Sequence, residues 1–157
     1  MKIAFTYPRN PGLFAKAIKV FSGEWSHCVI LTGHQDPTGD EICTEASADC
    51  GIRPTFWSKL AHHKHRIYAI DEAFDWKEYK EIYHGQQYAY AQVLMQGLTH
   101  IIKFRNPFTK GQHCAEYIGR TLLAKNKIDE VECNKLTPDS LEEALKARNY
   151  LVVRESL

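Results

Sequence analysis

The stretch QHCAEYIGRTLL, residues 112–123, predicts a helix that emerges from a loop. Ala115, Ile118 and Leu122 recur at spacings of three and four, so they share one helical face. The residues just before the stretch include Pro and Gly, which interrupt regular structure. Cys114 therefore lies in the first turn of a helix. The helix dipole and the free backbone N–H groups of a first turn favour the thiolate, which is the nucleophilic form of cysteine.

The composition is that of an ordinary globular protein. The chain has 157 residues, of which 44% are hydrophobic and 25% charged, and this length can bury a full core. The formal net charge of +1 creates no field that would attract nucleic acid or an anionic membrane. We expect a single domain over residues 1–157 that does not bind nucleic acid.

The cysteines and the N-terminal residues bear on the compartment. The five cysteines are an odd number, which favours free thiols over a disulfide framework. The first residues, MKIAFTYP, contain no apolar run of the length found in signal peptides. No stretch reaches the roughly 18 apolar residues that a membrane helix needs. These features predict a reduced, cytoplasmic protein without integral membrane contact.

Strands and helices are predicted in separate parts of the chain. Apolar alternation and turn residues predict strands at 2–7, 26–32, 41–47, 52–57, 66–70 and 150–153. Helical spacing predicts helices at 13–21, 75–83, 87–102, 114–126 and from 138 onward. Thr137 is the expected N-cap of the last helix, with Ser140 as a competing cap, and Pro54 places the fourth strand at an edge. This separation predicts an α+β fold with helices packed on an antiparallel sheet.

A cysteine nucleophile needs a base and a third group that orients the base. His27 lies at the start of an apolar strand, where an unpaired imidazole would be unfavourable. Glu45 lies in the next strand, and a hairpin of the two strands can bring its carboxylate to the imidazole. Each residue also has an ordinary interpretation, as a buried small cysteine, a structural histidine or a solvent-facing glutamate.

A family resemblance rests on short segments in a fixed order. They are SHCVI at 26–30, EA at 45–46, GI at 51–52, GQQYAY at 85–90, CAEY at 114–117 and TPDSL at 137–141. Together they resemble the circularly permuted papain-like amidases of the NlpC superfamily, in which a His strand precedes the Cys helix. The resemblance covers about residues 10–145 and implies a permuted papain-like fold and a bacterial or phage origin.

The resemblance implies a role for each matched residue. Cys114 corresponds to the nucleophile, His27 to the base and Glu45 to the orienting residue, while Tyr88 corresponds to a tyrosine that helps to bind the oxyanion. The implied reaction is hydrolysis of an amide, such as a peptidoglycan cross-link peptide, through a thioacyl-enzyme and without cofactor or metal. Cys28 departs from the family pattern, in which a small or aliphatic residue is commoner at that position.

Two other functions stay open on the same scaffold. Relatives of the lecithin–retinol acyltransferase group transfer or hydrolyse lipid acyl groups, although no long apolar anchor in this sequence indicates a lipid surface. A non-catalytic binding module would be expected to lack a member of the triad, and all three are present. Trp25, Trp57 and Tyr90 are candidates for lining the cleft, or else for ordinary core positions.

Two other assignments of the histidines were weighed. His62, His63 and His65 with Cys50 could form a metal site, but adjacent histidines on a strand point to opposite faces, and a solvated turn is favoured. His113 could replace His27 as the base. Neighbouring helical residues point about 100° apart, so His113 is expected to be a loop residue instead.

Overall fold

The computed structural model describes residues 1–13, 16, 23–47, 50–84, 86, 113–129, 133 and 136–156. Six strands form one sheet: β1 (Lys2–Tyr7), β2 (His27–Gln35), β3 (Glu41–Ser47), β4 (Gly51–Phe56), β5 (Lys64–Ala69) and β6 (Val152–Ser156). Their order is β4-β3-β2-β1-β5-β6, and every neighbouring pair is antiparallel. Across these residues the protein is α+β, as the separation of strands and helices predicted.

Three α-helices accompany the sheet in the described part of the chain, besides a 3-10 turn at Trp57–Lys59. They are α1 (Trp76–Glu78), which continues as a π-helical turn (Tyr79–Tyr83), α2 (Cys114–Ala124) and α3 (Pro138–Ala147). The predicted start of α3 is confirmed, because the Thr137 side chain accepts a hydrogen bond from the Ser140 N–H. The Ser140 hydroxyl accepts from the Thr137 N–H at 2.8 Å, so the two candidate caps form one capping box.

Both faces of the sheet are apolar. Because alternate residues of a strand point to opposite sides, each face has its own buried cluster. The face toward α2 buries Ile3, Phe5, Cys28, Ile30 and Tyr68 together with Ile118 and Leu122 of the helix. The other face buries Ala4, Val29, Leu31, Cys43 and Ile67 beneath Trp57. β2 thus contributes to both clusters, which explains why its sequence is a near-continuous apolar run.

The position of α2 on the sheet depends on two close contacts. Tyr117 and Thr44 of β3 share a hydrogen bond of 2.9 Å between their hydroxyl oxygens. On the far side of the helix, a Cβ added at Gly119 would overlap the side chain of Leu136. The glycine allows this close packing, and the first turn of the helix lies near the start of β2.

Some predicted boundaries were wrong. β2 runs to Gln35 rather than to residue 32, because polar residues continue the ladder after a register shift and Gln35 pairs with Glu41. The closing strand is Val152–Ser156 rather than 150–153, and its polar end is held by Arg66 of β5 contacting Glu155. β5 begins at Lys64, two residues earlier than predicted. The edge position of β4 is confirmed.

Two predicted helices lie largely or wholly outside the described residues. Of the helix predicted at 13–21, only Leu13 and Lys16 are described, and the helix predicted at 87–102 falls entirely on residues that are not.

Candidate active site

Cys114 is the first residue of α2, and its side chain is buried, with 4% of the residue exposed. The N-cap is His113, whose Nδ1 accepts a hydrogen bond from the Glu116 N–H at 3.3 Å. The sequence interpretation of His113 as a loop residue was therefore incomplete, because this imidazole is buried and caps the cysteine helix. The first turn is further tied by an ion pair of 2.8 Å between Glu116 and Arg120.

The structure brings His27 and Glu45 to Cys114. His27 is the first residue of β2, and its Nε2 lies 2.9 Å from Oε2 of Glu45. The β2–β3 register pairs Ile30 with Thr44, so Glu45 lies diagonally opposite His27 on the same face of the sheet. The His27 ring also hydrogen-bonds Cys114. Because Glu45 occupies Nε2, the nitrogen left for the sulfur is Nδ1.

These contacts shift the pKa values of both partners. Burial lowers the pKa of His27, but the hydrogen bonds to Cys114 and Glu45 outweigh it and raise the pKa to about 10. Hydrogen bonds from Cys28, His113 and His27 lower the pKa of the Cys114 thiol well below its usual range, although burial opposes them. Both shifts favour the ion pair of thiolate and imidazolium over the neutral thiol and imidazole.

Arg53 completes the charge balance of the site. It lies opposite Glu45 in the β3–β4 register, and its Nε donates to Oε1 of Glu45 at 3.2 Å. Burial raises the pKa of Glu45, but the contacts with His27 and Arg53 outweigh it and the pKa is lowered. Arg53 also donates to the Sγ of the exposed Cys50 at 3.0 Å. The sequence analysis missed Arg53, since recognising it requires the register of β4 against β3.

Cys28, the residue after His27, is the third side chain at the sulfur, after His27 and His113. It is fully buried on the face of the sheet that α2 covers, and it hydrogen-bonds Cys114. Burial and the contact with Cys114 raise the pKa of Cys28 well above its usual range.

The segment that leads into His27 is held by α3. Oδ1 and Oδ2 of Asp139 accept hydrogen bonds from the backbone N–H groups of Glu24 and Trp25, at 2.7 and 3.1 Å. Gly23 has a φ of +95°, and a Cβ there would come within 2.9 Å of Oδ1 of Asp139. The segment TPDSL, which the sequence analysis noted as a family feature, therefore supports the position of the histidine strand.

Other sequence candidates are placed elsewhere. Trp25 and Trp57 are core residues, 0% and 7% exposed, and not lining residues of an open cleft. Tyr88 and Tyr90 lie outside the described residues.

The histidine-rich segment is not a fully solvated turn. His65 is buried on β5, where its Nδ1 lies 2.9 Å from the carbonyl oxygen of His63 and its ring packs on Trp57. In the part of the chain that the structure describes, no three His, Cys, Asp or Glu side chains are arranged to hold a metal ion.

The described helices include none whose length and apolar character would let it cross a bilayer. Comparison with known proteins finds no family model, no curated protein and no solved structure that matches this chain.

Proposed function

We propose that this protein is a cysteine hydrolase of the permuted papain-like type that cleaves an amide bond in a peptide. The observation that carries the proposal is the hydrogen-bonded series from Cys114 through His27 to Glu45, with 2.9 Å between His27 Nε2 and Glu45 Oε2. A nucleophile, a base and a carboxylate that orients the base are the parts required for acyl transfer. Their order, with the His strand before the Cys helix, is that of the NlpC superfamily.

The reaction begins from the ion pair. The Cys114 thiolate attacks the amide carbonyl, and the backbone N–H of Cys114 is available to the oxyanion because first-turn N–H groups have no intrahelical acceptor. Tyr88 is a second oxyanion ligand by resemblance. His27 donates its proton to the leaving amine as the thioacyl-enzyme forms. The neutral imidazole then takes a proton from water, the resulting hydroxide attacks the thioester, and the carboxylic acid leaves as the Cys114 thiolate and the His27 imidazolium are restored.

Glu45 and Arg53 tune the base in opposite directions. Glu45 accepts the hydrogen bond of His27 Nε2–H, which selects the tautomer and stabilises the imidazolium. Arg53 neutralises part of that carboxylate charge through the other oxygen. Because Oε2 of Glu45 contacts His27 and Oε1 contacts Arg53, the carboxylate is held in one orientation.

The first experiment measures the alkylation of each cysteine by iodoacetamide as a function of pH, with mass spectrometry to separate the sites. We expect Cys114 to react fastest at and below neutral pH, with an apparent pKa well under about 8.5. Cys43 and Cys133 are internal controls, because burial raises their thiol pKa values. In His27→Ala the apparent pKa of Cys114 should rise. A Cys114 that titrates like an ordinary thiol in both proteins contradicts the proposal and favours a binding module.

A substrate panel then separates the candidate activities. Purified protein is incubated with peptide amides, including peptidoglycan stem peptides, and in parallel with acyl esters and thioesters of fatty acids. The proposal predicts cleavage of an amide that is lost in Cys114→Ala. Turnover of lipid esters alone would replace it with the acyltransferase or thioesterase alternative.

A further inference from the structure

Two histidines, two residues apart, carry buried ring nitrogens that no protein group contacts. In the part of the chain that the structure describes, the buried side-chain nitrogen and oxygen atoms without a hydrogen-bond partner are Nδ1 of His63 and Nε2 of His65. His65 is 1% exposed, and His63 is half-buried. A buried polar atom without a partner is unfavourable, so two such atoms so close in the chain indicate a shared partner from outside the chain.

The hydrogen bond at the other nitrogen of His65 determines which ring nitrogen carries the proton. Nδ1 of His65 lies 2.9 Å from the carbonyl oxygen of His63. A carbonyl oxygen only accepts, so Nδ1 carries the hydrogen, and Nε2 of the neutral ring is a bare acceptor. Histidines that bind metal ions have this arrangement, in which one ring N–H donates to a backbone carbonyl and the other nitrogen holds the ion.

The same hydrogen bond keeps the two histidines together. It joins the ring of His65 directly to the backbone of His63, which precedes β5 by one residue. The His63 N–H in turn donates to the carbonyl oxygen of Leu60 at 2.9 Å, and the ring of His65 packs edge-to-face on Trp57, with 5.2 Å between the ring centroids. Residues two apart in extended chain point to the same side, so both side chains can reach one ion.

We propose that Nδ1 of His63 and Nε2 of His65 bind a divalent transition-metal cation of the Zn²⁺ type. Imidazole nitrogen suits Zn²⁺, Ni²⁺ and Cu²⁺, whereas Mg²⁺ and Ca²⁺ take oxygen ligands. Two protein ligands leave the remaining positions of the ion to water, which the half-buried side of His63 admits. The site agrees with the lack of any metal-holding group of three or more His, Cys, Asp or Glu residues in the described ranges.

The course of the chain between β4 and β5 gives the cation a structural role. β4 is at one edge of the sheet and β5 is next to the other edge, so residues 57–63 cross a face of the sheet. Trp57, Leu60 and Ala61 of this segment pack on the apolar cluster of that face. The cation would join the end of the segment to β5, so its binding should stabilise the folded protein.

The cation site is separate from the proposed active site. The β1–β5 register places His65 opposite Thr6, and the β1–β2 register places Thr6 opposite His27. His65 and His27 are therefore two strands apart, about 10 Å between their Cα atoms. A test of cation binding needs no substrate, so its failure is distinct from a failure of the hydrolase assignment.

The test measures cation binding to Cys114→Ala, because the thiolate of the proposed active site would itself bind zinc. Isothermal titration calorimetry with ZnCl2 should show one ion per chain. With CoCl2 as a spectroscopic substitute, we expect ligand-field bands without a thiolate-to-cobalt charge-transfer band, since both protein ligands are nitrogen atoms. The melting temperature should rise with ZnCl2 and return to its starting value after EDTA is added.

His63→Ala and His65→Ala, each made separately in the same background, identify the ligands. Each should weaken zinc binding by about tenfold or more and remove the shift in melting temperature. The matched control is His34→Ala, an exposed histidine that contacts Trp76, and its zinc affinity should equal that of the parent. His63 is half-buried, so His63→Ala decides the question if His65→Ala fails to fold.

Three results overturn the proposal. They are the absence of zinc binding by the parent protein, an unchanged affinity in His63→Ala, and a charge-transfer band that shows a cysteine sulfur on the cobalt ion. The last result would assign the ion to a thiol such as the exposed Cys50.

Discussion

At the residue scale, three side chains from two elements stabilise the Cys114 thiolate. Cys28 and His27 approach from β2, and His113 approaches from the cap of the helix itself. Their hydrogen bonds, the one from Cys28 foremost, outweigh the burial that disfavours a charged sulfur. The three side chains together therefore activate the nucleophile, and substituting them one at a time should lower the reactivity of Cys114 by different amounts.

The triad predicts an order of losses. Cys114→Ala should abolish turnover with the fold intact, since the residue supplies the bond-forming atom. Glu45→Gln should be milder than His27→Ala by about tenfold or more, because an orienting carboxylate is partly replaceable. The measurement is kcat/KM on the amide found in the panel, with circular dichroism as the control for folding. An equal or larger loss at Glu45 would show that it does more than orient the imidazole.

The raised pKa of His27 predicts the alkaline limit of activity. The leaving amine needs a proton from the imidazolium, which is lost as pH rises through the His27 pKa of about 10. The acid limit is set by Cys114, whose pKa is lowered, so kcat/KM should be flat across neutral pH. A pH–rate profile measures both limits. An alkaline limit near the ordinary imidazole value of about 6.5 would contradict the ion pair.

The two roles of His113, capping α2 and stabilising the Cys114 thiolate, can be separated by substitution. Asn is an excellent N-cap but lacks the imidazole, whereas Ala removes both functions. In His113→Asn the melting temperature should stay near that of wild type while the apparent pKa of Cys114 rises, as it should in His113→Ala. In His113→Ala the free energy of unfolding should also fall by about 1 kcal/mol. An unchanged alkylation profile in both variants would mean that His113 acts only as a cap.

At the scale of elements, the site depends on α3 as well as on α2. The carboxylate of Asp139 in the first turn of α3 accepts the N–H groups of Glu24 and Trp25, just before β2 begins. Glu142, one turn later, accepts from Trp25 Nε1 at 3.1 Å. The histidine strand is thus fastened to a helix that lies more than a hundred residues later in the chain.

Removal of the hydrogen bonds to Asp139 should loosen the site without changing any residue of the triad. Asp139→Ala leaves two backbone N–H groups without their acceptor, which should lower the free energy of unfolding by about 1–3 kcal/mol. Because Trp25 lies two residues before His27, the reactivity of Cys114 should fall as well. The matched control is Glu143→Ala, an exposed position on the same helix. Urea unfolding and alkylation rates give the two readouts, and equal effects of both substitutions would refute the attachment.

Local patterns were enough to predict most elements, but contacts between distant elements were not. The capping box of α3, the hairpin of β2 and β3 and the edge position of β4 follow from residues close in sequence. Arg53 was missed because it meets Glu45 only through the register of two strands. The burial and capping role of His113 was missed because angular spacing in a helix says nothing about a residue at its N-cap.

At the scale of the whole molecule, a buried carboxylate joins the sheet to its last helix. Glu142 is 3% exposed and accepts hydrogen bonds from Arg66 and Tyr68 of β5, at 2.8 and 2.9 Å, besides those from Trp25 and Lys146. Burial raises its pKa, but these donors outweigh burial, so the pKa is lowered. The network connects β5, α3 and the segment before β2 through one side chain.

The lowered pKa of Glu142 predicts acid lability. The unfolded state binds the proton first as pH falls below about 4.3, so the stabilisation is complete above that value and is lost as pH falls through the lower pKa of the folded state. Glu142→Gln removes the titrating group, so its melting temperature should depend less on pH between about 3 and 5 than that of wild type. Thermal unfolding across this range checks the prediction. Equal slopes in the two proteins would place the acid-sensitive group elsewhere.

The contact of Arg53 with both Cys50 and Glu45 has a practical consequence for spectroscopy. In Cys114→Ala, where the most reactive thiol is absent, a small trifluoromethyl tag on the exposed Cys50 would place a fluorine nucleus beside the guanidinium that contacts the buried carboxylate. Its resonance frequency would follow the charge state of that carboxylate and, through it, of the imidazole. Cys50 is thus a natural attachment point for an NMR probe of the protonation state of the site in the absence of substrate.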